Sequence, residues 1–236
     1  MKARIDAIIQ RDQAEYLDQL IPQTDPLLRE MEEYGSQHGV PSADREVALF
    51  VEITARAMNA KRALEIGMAI GYTTIHLARA VGEASQGALI VTIDPSDEMI
   101  QAAEGYLTRA GLRDRVRIER GKGLEVIPQL KETFDLLFID AVKEEYADYL
   151  RLSLPRLRRG GVVIVDNLLW GGQIAGEIRS PDQESSTNAL REFNKYFVNH
   201  PKLRAEILSV GDGLGYAVKT GEDGQHRGQS GPQSKA

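Results

Sequence analysis

Cysteine is absent from the 236 residues of this sequence, and histidine occurs only four times. Without cysteine, the chain cannot form disulfides, thiolate zinc sites or a cysteine nucleophile. The histidines are too far apart for the short spacings of histidine metal motifs; they are His38, His76, His200 and His226. A metal ion held by this protein would therefore need oxygen ligands, which favours a hard cation such as Mg²⁺, Mn²⁺ or Ca²⁺.

The sequence also lacks any continuous apolar run that is long enough to cross a membrane. Its N-terminal segment, MKARIDAIIQRDQAEYL, alternates charged with apolar residues and does not have the apolar region of a signal peptide. We therefore expect a cytoplasmic protein without membrane contact. The net charge of −6 disfavours a broad surface for nucleic acid, although a local basic patch is compatible with it.

The order of apolar patterns predicts an α/β fold. Apolar residues recur at helical spacing through residues 1–60, which predicts N-terminal helices. From Arg62 onward, short β-like runs alternate with helical stretches, as in a doubly wound parallel sheet. A helix from about Thr187 to Val198 and two final β-like runs bring the predicted sheet to seven strands. We predict one domain over residues 1–220, with its core at 61–220, followed by a disordered polar tail at 221–236.

A glycine-containing turn follows the first predicted strand. Residues 64–74 read LEIGMAIGYTT, which lacks the G-x-G-x-x-G pattern of dinucleotide-binding turns. A ligand with an amino-acid end could instead use Glu65 for its positive group and Thr73 for its carboxylate. Asp94 ends the second predicted strand, where it could accept hydrogen bonds from both hydroxyls of a ribose. Each residue alone could be structural, but together they favour a nucleoside with an amino-acid tail, namely S-adenosylmethionine.

Two later apolar runs end abruptly on polar residues. LLFID ends at Asp140, and VVIVDN ends at Asp166 and Asn167. The fourth and fifth strands of such a sheet are neighbours about 4.7–4.9 Å apart, so these side chains should converge at the ligand-binding edge. Two carboxylates and an amide oxygen suit a divalent cation, most simply Mg²⁺, and leave room for two oxygens of a vicinal diol. The alternative is a pair of helix N-caps and a turn asparagine.

Taken in order, these motifs resemble the cation-dependent class I O-methyltransferases of the catechol and caffeoyl-coenzyme A type, especially their small bacterial relatives. The resemblance extends from about Val40 to Lys219 and is carried by PSAD, ALEIGMAIGYTT, VTIDPS, FDLLFIDAVKEEYADYL, LRRGGVVIVDNLLWGG and VGDGLGYAVK. It implies a Rossmann-like methyltransferase fold, S-adenosylmethionine as cofactor and a bound divalent cation.

The resemblance also implies roles for single residues. The family's metal ligands match Asp140, Asp166 and Asn167, and its general base matches Lys143. The segment from Val40 to Ala43 is expected to close over the cofactor. The residues expected to contact the cofactor are Val40, Glu65, Gly67, Met68, Thr73, Asp94, Gly123 and Asp140.

Lys143 and Trp170 each have a second interpretation. Lys143 lies at the positive end of a predicted helix and three residues from a proposed cation ligand. Both effects favour the neutral amine, which can accept a proton, whereas an ordinary lysine there would be a solvated surface residue. Trp170 is followed by Gly171 and Gly172 and could form an apolar wall over an aromatic acceptor, or only anchor its loop.

Two segments depart from the family pattern. Gly121–Gly123 reads GKG where relatives usually have Gly-x-Ala beside the adenine, so we expect looser contact with adenine there. REVALF, which follows PSAD, replaces the family's usual Gly-Gln pair.

The sequence therefore predicts methyl transfer to a hydroxyl of a catechol-like or other small hydroxylated acceptor, by an enzyme that forms a homodimer. Methylation of a hydroxylated base in tRNA is the alternative, since the same catalytic core could serve it. Local positive charge for that alternative is offered by Arg113, Arg115, Arg117 and Arg120. A nicotinamide oxidoreductase would need the missing glycine pattern, and a non-catalytic binding module would not need both the metal site and Lys143.

Overall fold

The computed structural model describes residues 11–21, 24–82, 89–178 and 181–221. The predicted disorder of the C-terminal tail falls on residues 222–236, apart from Gly221, and so lies outside the described residues. Within the described part, no helix has the length and apolar content needed to span a membrane.

Seven strands form one mixed sheet, as predicted. They are β1 Arg62–Ile66, β2 Leu89–Asp94, β3 Val116–Arg120, β4 Phe134–Ile139, β5 Leu157–Val165, β6 Leu203–Leu208 and β7 Leu214–Lys219. Their order in the sheet is β3-β2-β1-β4-β5-β7-β6. The five strands β1 to β5 pair in parallel, whereas β7 runs antiparallel to both β5 and β6. The doubly wound, mainly parallel sheet is therefore confirmed.

The helices agree with the predicted alternation. They are α1 Arg11–Leu20, α2 Pro26–His38, α3 Arg45–Ala57, α4 Tyr72–Ala80, α5 Asp97–Arg109, α6 Gly123–Val126, α7 Tyr146–Ser153 and α8 Glu184–Val198. Helix α8 begins at Glu184 rather than at Thr187, because its first turn is polar and carries no apolar signal. Helix α5 begins as its sequence requires, since the Ser96 hydroxyl accepts a hydrogen bond from the Met99 amide at 3.3 Å.

The sheet is buried on both faces, which explains the continuous apolar runs of its strands. On one face, Ala63, Leu136 and Phe138 pack in a core cluster with residues of α3 and α4. On the other face, Leu64 and Leu137 belong to a second cluster with residues of α7 and α8. Helix α1 leaves three large apolar side chains exposed, Tyr16, Leu17 and Leu20. The homodimer stays a prediction.

Candidate active site

The cavity that holds most of the predicted site residues lies at the carboxyl ends of the parallel strands and has a volume of about 800 Å³. Predicted residues that line it are Gly67, Met68, Thr73, Asp94, Gly123, Asp140, Lys143, Asn167 and Trp170. Val40, Glu65 and Asp166 are not part of its lining. The fold therefore brings together residues from the ends of the five parallel strands and the loops that follow them.

Backbone hydrogen bonds continue past the strand ends and keep these positions in register. The Gly67 amide donates to the Ile93 carbonyl at 3.0 Å, and the Asp140 amide donates to the Ile66 carbonyl at 2.9 Å. The Asp166 amide donates to the Ile139 carbonyl at 3.0 Å. These bonds fix the backbone of the two predicted carboxylate ligands on neighbouring strands, as the sequence predicted from strand order.

Asp94 has a second function that the sequence did not reveal. Its Oδ2 atom accepts hydrogen bonds from the amides of Met68 at 3.2 Å and Ala69 at 2.9 Å, and its Oδ1 atom accepts one from Ser96 at 2.9 Å. The carboxylate thereby ties the glycine turn to the end of β2. Since a carboxylate has about four lone-pair sites, roughly one stays open, so both ribose hydroxyls cannot bind it as predicted without competition.

Gly67 is required by the close approach of two chain segments. Its φ angle is 92°, and a Cβ atom built on it would lie 2.0 Å from the Asp140 carbonyl oxygen. Any side chain at this position would therefore push the turn after β1 away from the turn after β4. The absence of a side chain at Gly67 thus allows the turns after β1 and β4 to pack against each other at the cavity.

Glu65 lies outside the cavity lining, and its contact with the cofactor stays a prediction. Its side chain is fully buried, and Oε2 accepts hydrogen bonds from the hydroxyls of Thr74 at 2.5 Å and Thr92 at 2.6 Å. Oε1 is buried without a hydrogen-bond partner. The carboxyl group points to threonines of α4 and β2 and is not part of the cavity lining. Burial raises the pKa of Glu65 to about 7. The negative charges of Asp140 and Asp94 also raise this pKa, whereas the two threonine hydrogen bonds lower it.

This pKa makes the stability of the protein depend on pH. The folded chain holds the Glu65 proton more tightly than the unfolded chain, where the pKa is near 4.5. The free energy of unfolding should therefore fall as the pH rises from 4.5 through 7, by roughly 3 kcal/mol from this group. Glu65→Gln cannot titrate and should lose this component. Urea unfolding of both proteins at pH 5 and pH 8 measures it, and an equal pH dependence in the two would contradict the prediction.

Val40 lies beside the cavity but outside its lining, and its contact with the cofactor stays a prediction. It packs, half-buried, against the core cluster on the α3 side of the sheet, and its amide donates to the Gly35 carbonyl at the end of α2. The next three residues, Pro41 to Ala43, line the cavity instead. The predicted segment is therefore at the cavity, but its first residue belongs to the core.

The GKG turn leaves no gap of the kind that the sequence suggested. A Cβ atom on Gly123 would lie 2.6 Å from Cε1 of Tyr149 and 3.2 Å from Cγ2 of Ile66. The Tyr149 ring thus occupies the space that an alanine methyl would take. Its hydroxyl donates to Glu145 Oε2 at 2.5 Å, which holds the ring in place, and Tyr149 lines the cavity.

Gly123→Ala should therefore destabilise the fold, whereas Gly105→Ala should not. The added methyl at residue 123 would collide with the Tyr149 ring, which its hydrogen bond to Glu145 keeps in place. This collision should lower the free energy of unfolding by about 1–3 kcal/mol. Gly105 lies in the interior of α5 with no heavy atom near its built Cβ, so alanine there should stabilise by about 0.4–1 kcal/mol. Urea unfolding compares the two variants, and a neutral Gly123→Ala would mean that Tyr149 moves freely.

Two of the three predicted metal ligands, Asp166 and Asn167, lie at a strained, buried turn after β5. Asp166 and Asn167 are each 1% exposed, and Asp166 Oδ1 accepts a hydrogen bond from the Asn167 amide at 2.7 Å. Asn167 has a φ angle of 64° and Trp170 one of 49°, both in the left-handed region that side chains rarely adopt. Strain of this kind is common at functional sites. The Asn167 Nδ2 atom is buried without a hydrogen-bond partner.

Among the described residues, no three His, Cys, Asp or Glu side chains are arranged to hold a metal ion. A metal site here would therefore depend on Asn167 beside the two carboxylates. Such an all-oxygen set is the kind that hard divalent cations prefer.

Lys143 is held in place and is not a solvated surface residue. Its side chain is 11% exposed, and Nζ donates to Asp140 Oδ1 at 2.9 Å and to the Tyr146 hydroxyl at 2.6 Å. The ammonium also lies 5.0 Å from the centre of the Tyr146 ring and 5.8 Å from that of Trp170. The predicted base, a predicted metal ligand and the predicted aromatic wall therefore meet at one point.

Sequence reasoning missed the two tyrosines of this region, Tyr146 and Tyr149. Tyr146 follows Lys143 by three residues, and Tyr149 follows Tyr146 by three, so all three residues lie on one face of a helical segment. The spacing was visible in KEEYADY, but it does not tell an ordinary core stripe from a set of site residues.

Comparisons with known proteins agree with this geometry. The family described as O-methyltransferase matches residues 9–220. A catechol O-methyltransferase from Mycobacterium tuberculosis is 35% identical over 162 residues, which are 68% of this chain and 70% of the relative. A flavonoid 3',5'-methyltransferase from Vitis vinifera is 30% identical over 197 residues, covering 78% and 80%. The O-methyltransferase TomG from Streptomyces achromogenes, solved in complex with SAM, superimposes with a TM-score of 0.77 at 27% identity, covering 88% of this chain and 95% of TomG.

Proposed function

This chain belongs to the O-methyltransferase family, and we propose that it transfers the methyl group of S-adenosylmethionine to a hydroxyl of a catechol-like or other small hydroxylated acceptor with the help of a divalent cation. One observation carries the proposal. A single cavity is lined by the glycine turn, by Asp94 and by Lys143, which is bonded to Asp140 beside the Asp166–Asn167 turn. Binding groups for a nucleoside, a cation and a hydroxyl are thus adjacent.

The residues on the glycine-turn side fit S-adenosylmethionine, which supplies an activated methyl group on its sulfonium. Asp94 keeps an acceptor site for one ribose hydroxyl, and Thr73 offers a hydroxyl in the first turn of α4, where the helix dipole favours a carboxylate. Gly121 to Gly123 and Tyr149 form the wall on the side expected for adenine. TomG, which is solved with SAM, supports this assignment of the cavity.

The residues on the other side fit a divalent cation, Mg²⁺ before Mn²⁺ or Ca²⁺. Asp140, Asp166 and Asn167 offer oxygen atoms only, and the unpartnered Asn167 amide nitrogen leaves that side chain without a fixed structural bond. When bound, such a cation supplies Lewis acidity that makes a hydroxyl of the acceptor easier to ionise.

Lys143 is the residue that we propose as general base. Its nitrogen is held by Asp140 and Tyr146 and lines the cavity, so it can take the proton of an acceptor hydroxyl placed there. The oxygen then attacks the methyl group in line. Trp170 lies next to Lys143 and offers an apolar face to an aromatic acceptor, as the names of the catechol and flavonoid relatives suggest.

The tRNA alternative is weakened, because three of the four arginines on which it was based are paired with carboxylates. Among the four arginines near β3, Arg115 donates to a backbone carbonyl, that of Ala78. The other three form ion pairs: Arg113 with Glu104, Arg117 with Glu119 and Glu132, and Arg120 with Asp97. Paired charges attract phosphate much less than free ones, so a small acceptor is the better substrate class.

Transfer of labelled methyl groups from S-adenosylmethionine to a panel of catechols and, in parallel, to bulk tRNA tests the proposal. We expect turnover of catechols that requires added Mg²⁺ and stops with a chelator, and no labelling of tRNA. Labelling of tRNA alone would move the enzyme to the alternative. Turnover of catechols that persists with chelator would remove the cation from the proposal and leave the methyl transfer in place.

A further inference from the structure

Tyr146 lies directly behind the proposed base and has no assigned function. It is the first residue of α7, is 0% exposed and is the largest of the fully buried side chains. Its hydroxyl oxygen accepts a hydrogen bond from Lys143 Nζ at 2.6 Å and donates one to the backbone carbonyl of Asp166 at 3.2 Å. One buried hydroxyl thus connects the turns after β4 and β5.

The direction of these hydrogen bonds is fixed by chemistry. The Asp166 carbonyl can only accept, so the Tyr146 hydrogen points to it and a lone pair of the hydroxyl faces Lys143. Lys143 is therefore always the donor in this pair.

The two acceptors define the orientation of the lysine nitrogen. A tetrahedral amine bonded to Cε and donating to Asp140 and Tyr146 has one position left. No further hydrogen bond to that nitrogen is formed by the described residues, and the side chain lines the cavity. Both contacts survive loss of a proton, because a neutral amine still has two N–H groups. The fourth position is then the lone pair that accepts the acceptor's proton.

Of the two acceptors, Tyr146 is the one without a competing function. Asp140 is also a proposed metal ligand, and its oxygens are shared between the cation and the lysine. Tyr146 is fixed instead by packing, since its ring meets Phe193 of α8 edge to face at 5.5 Å within the second core cluster. The uncharged side chain of Tyr146, fixed by packing in the core, therefore holds the Lys143 nitrogen by a hydrogen bond.

We propose that Tyr146 is a positioning residue that aims the Lys143 amine at the acceptor hydroxyl. The proposal rests on the proposed function for the catalytic effect, but the holding of Lys143 can be measured without turnover. Phe193 and α8 are the elements that keep the tyrosine in place.

Tyr146→Phe removes the hydroxyl and keeps the ring. We expect kcat to fall by about 10- to 100-fold, because an amine displaced by about 1 Å no longer meets the acceptor's proton, with little change in the KM values or in Mg²⁺ affinity measured by calorimetry. In a Lys143→Met background the same change should cause no further loss, because Tyr146 acts through the lysine. Tyr106→Phe removes the hydroxyl of another buried tyrosine, 8% exposed and remote from the cavity, and should leave kcat unchanged.

The second measurement uses the protein without substrates. Trinitrobenzenesulfonate labels amines, and mass spectrometry of peptides reports each lysine separately. We expect Lys143 to be labelled several-fold faster in Tyr146→Phe than in the wild type, while the exposed Lys131 is labelled equally in both. If the phenylalanine variant does not fold, Tyr146→Met repeats both measurements, since its flexible side chain also fills the space without a hydroxyl.

Unchanged kcat and unchanged labelling in the variant would overturn the proposal. A loss of kcat that is equally large with and without Lys143 would also overturn it. So would a loss of Mg²⁺ affinity with normal labelling. Either result would mean that the Tyr146 hydroxyl acts by holding the Asp166 turn and not by holding Lys143. If Lys143→Met keeps the wild-type rate while Tyr146→Phe still speeds labelling, the base role has failed and the holding role has not.

Discussion

Replacing Asp166 with alanine is expected to abolish Mg²⁺-stimulated methyl transfer while S-adenosylmethionine still binds. The side chain stands beside Asn167 at the end of β5, and the groups that we assign to the cofactor lie at the ends of other strands. Loss of a carboxylate ligand removes several kcal/mol of transition-state stabilisation, so the rate should fall by at least about 10³-fold. Transfer of labelled methyl groups, measured against Mg²⁺ concentration, gives the rate, and calorimetry gives the cofactor affinity.

Two further variants distinguish a loss of metal binding from a loss of the turn's structure. Asp166→Asn keeps an acceptor for the Asn167 amide but loses the charge, so it should be nearly as inactive as the alanine variant if Asp166 binds the cation. Asp94→Ala should have the reverse effect, weakening S-adenosylmethionine by about 1.5–3 kcal/mol with Mg²⁺ binding intact. An active Asp166→Asn would mean that Asp166 only holds the turn, and a wild-type enzyme indifferent to chelator would refute the cation outright.

Lys143→Met should lower kcat by about 10²–10⁴-fold, the usual contribution of a positioned general base, with little effect on metal or cofactor binding. The reason is geometric as well as chemical, because the amine is held at the cavity by Asp140 and Tyr146. Raising the pH should partly restore the rate, since hydroxide can remove the acceptor's proton without the lysine. Steady-state kinetics between neutral and alkaline pH measure both effects.

Lys143→Arg is the control for the ion pair with Asp140. Arginine keeps the positive charge and can pair with the carboxylate, but it does not give up its proton in proteins. If the base assignment is right, the arginine variant should be impaired about as much as the methionine variant. A lysine that served only to pair with Asp140 would be replaced by arginine with most of the rate retained, and a defect independent of pH would indicate a substrate-positioning role.

The strands of this protein could be predicted because burial on both faces leaves a direct mark in the sequence. The run of residues 136–139 before Asp140 is apolar at every position, since this part of β4 is buried on both faces. Strand order then placed Asp140 beside Asp166, and the register from Ile139 to Val165 agrees with that placement. Boundaries were less well predicted where the first turn of an element is polar, as at Glu184 of α8.

The hydrogen-bond partners of the side chains could not be predicted, because they depend on the orientation that the turns give each side chain in the folded protein. Glu65 accepts hydrogen bonds from threonines 9 and 27 residues away in the sequence. Tyr146 reaches a carbonyl 20 residues away, at a turn whose strained asparagine no periodicity reveals. Asp94 accepts two hydrogen bonds from the glycine turn and a third from Ser96, although its position alone favoured a ribose.

The sequence by itself determined the layered fold and the order along the chain of the residues proposed as oxygen ligands and base, because apolar periodicity and residue type are local properties of the chain. The tertiary structure alone decided that Glu65 is buried outside the cavity lining, that Tyr149 fills the space beside Gly123 and that Lys143 is held between Asp140 and Tyr146. These contacts join segments that meet only when the sheet is assembled, and their energies depend on distance and burial, which residue order does not contain.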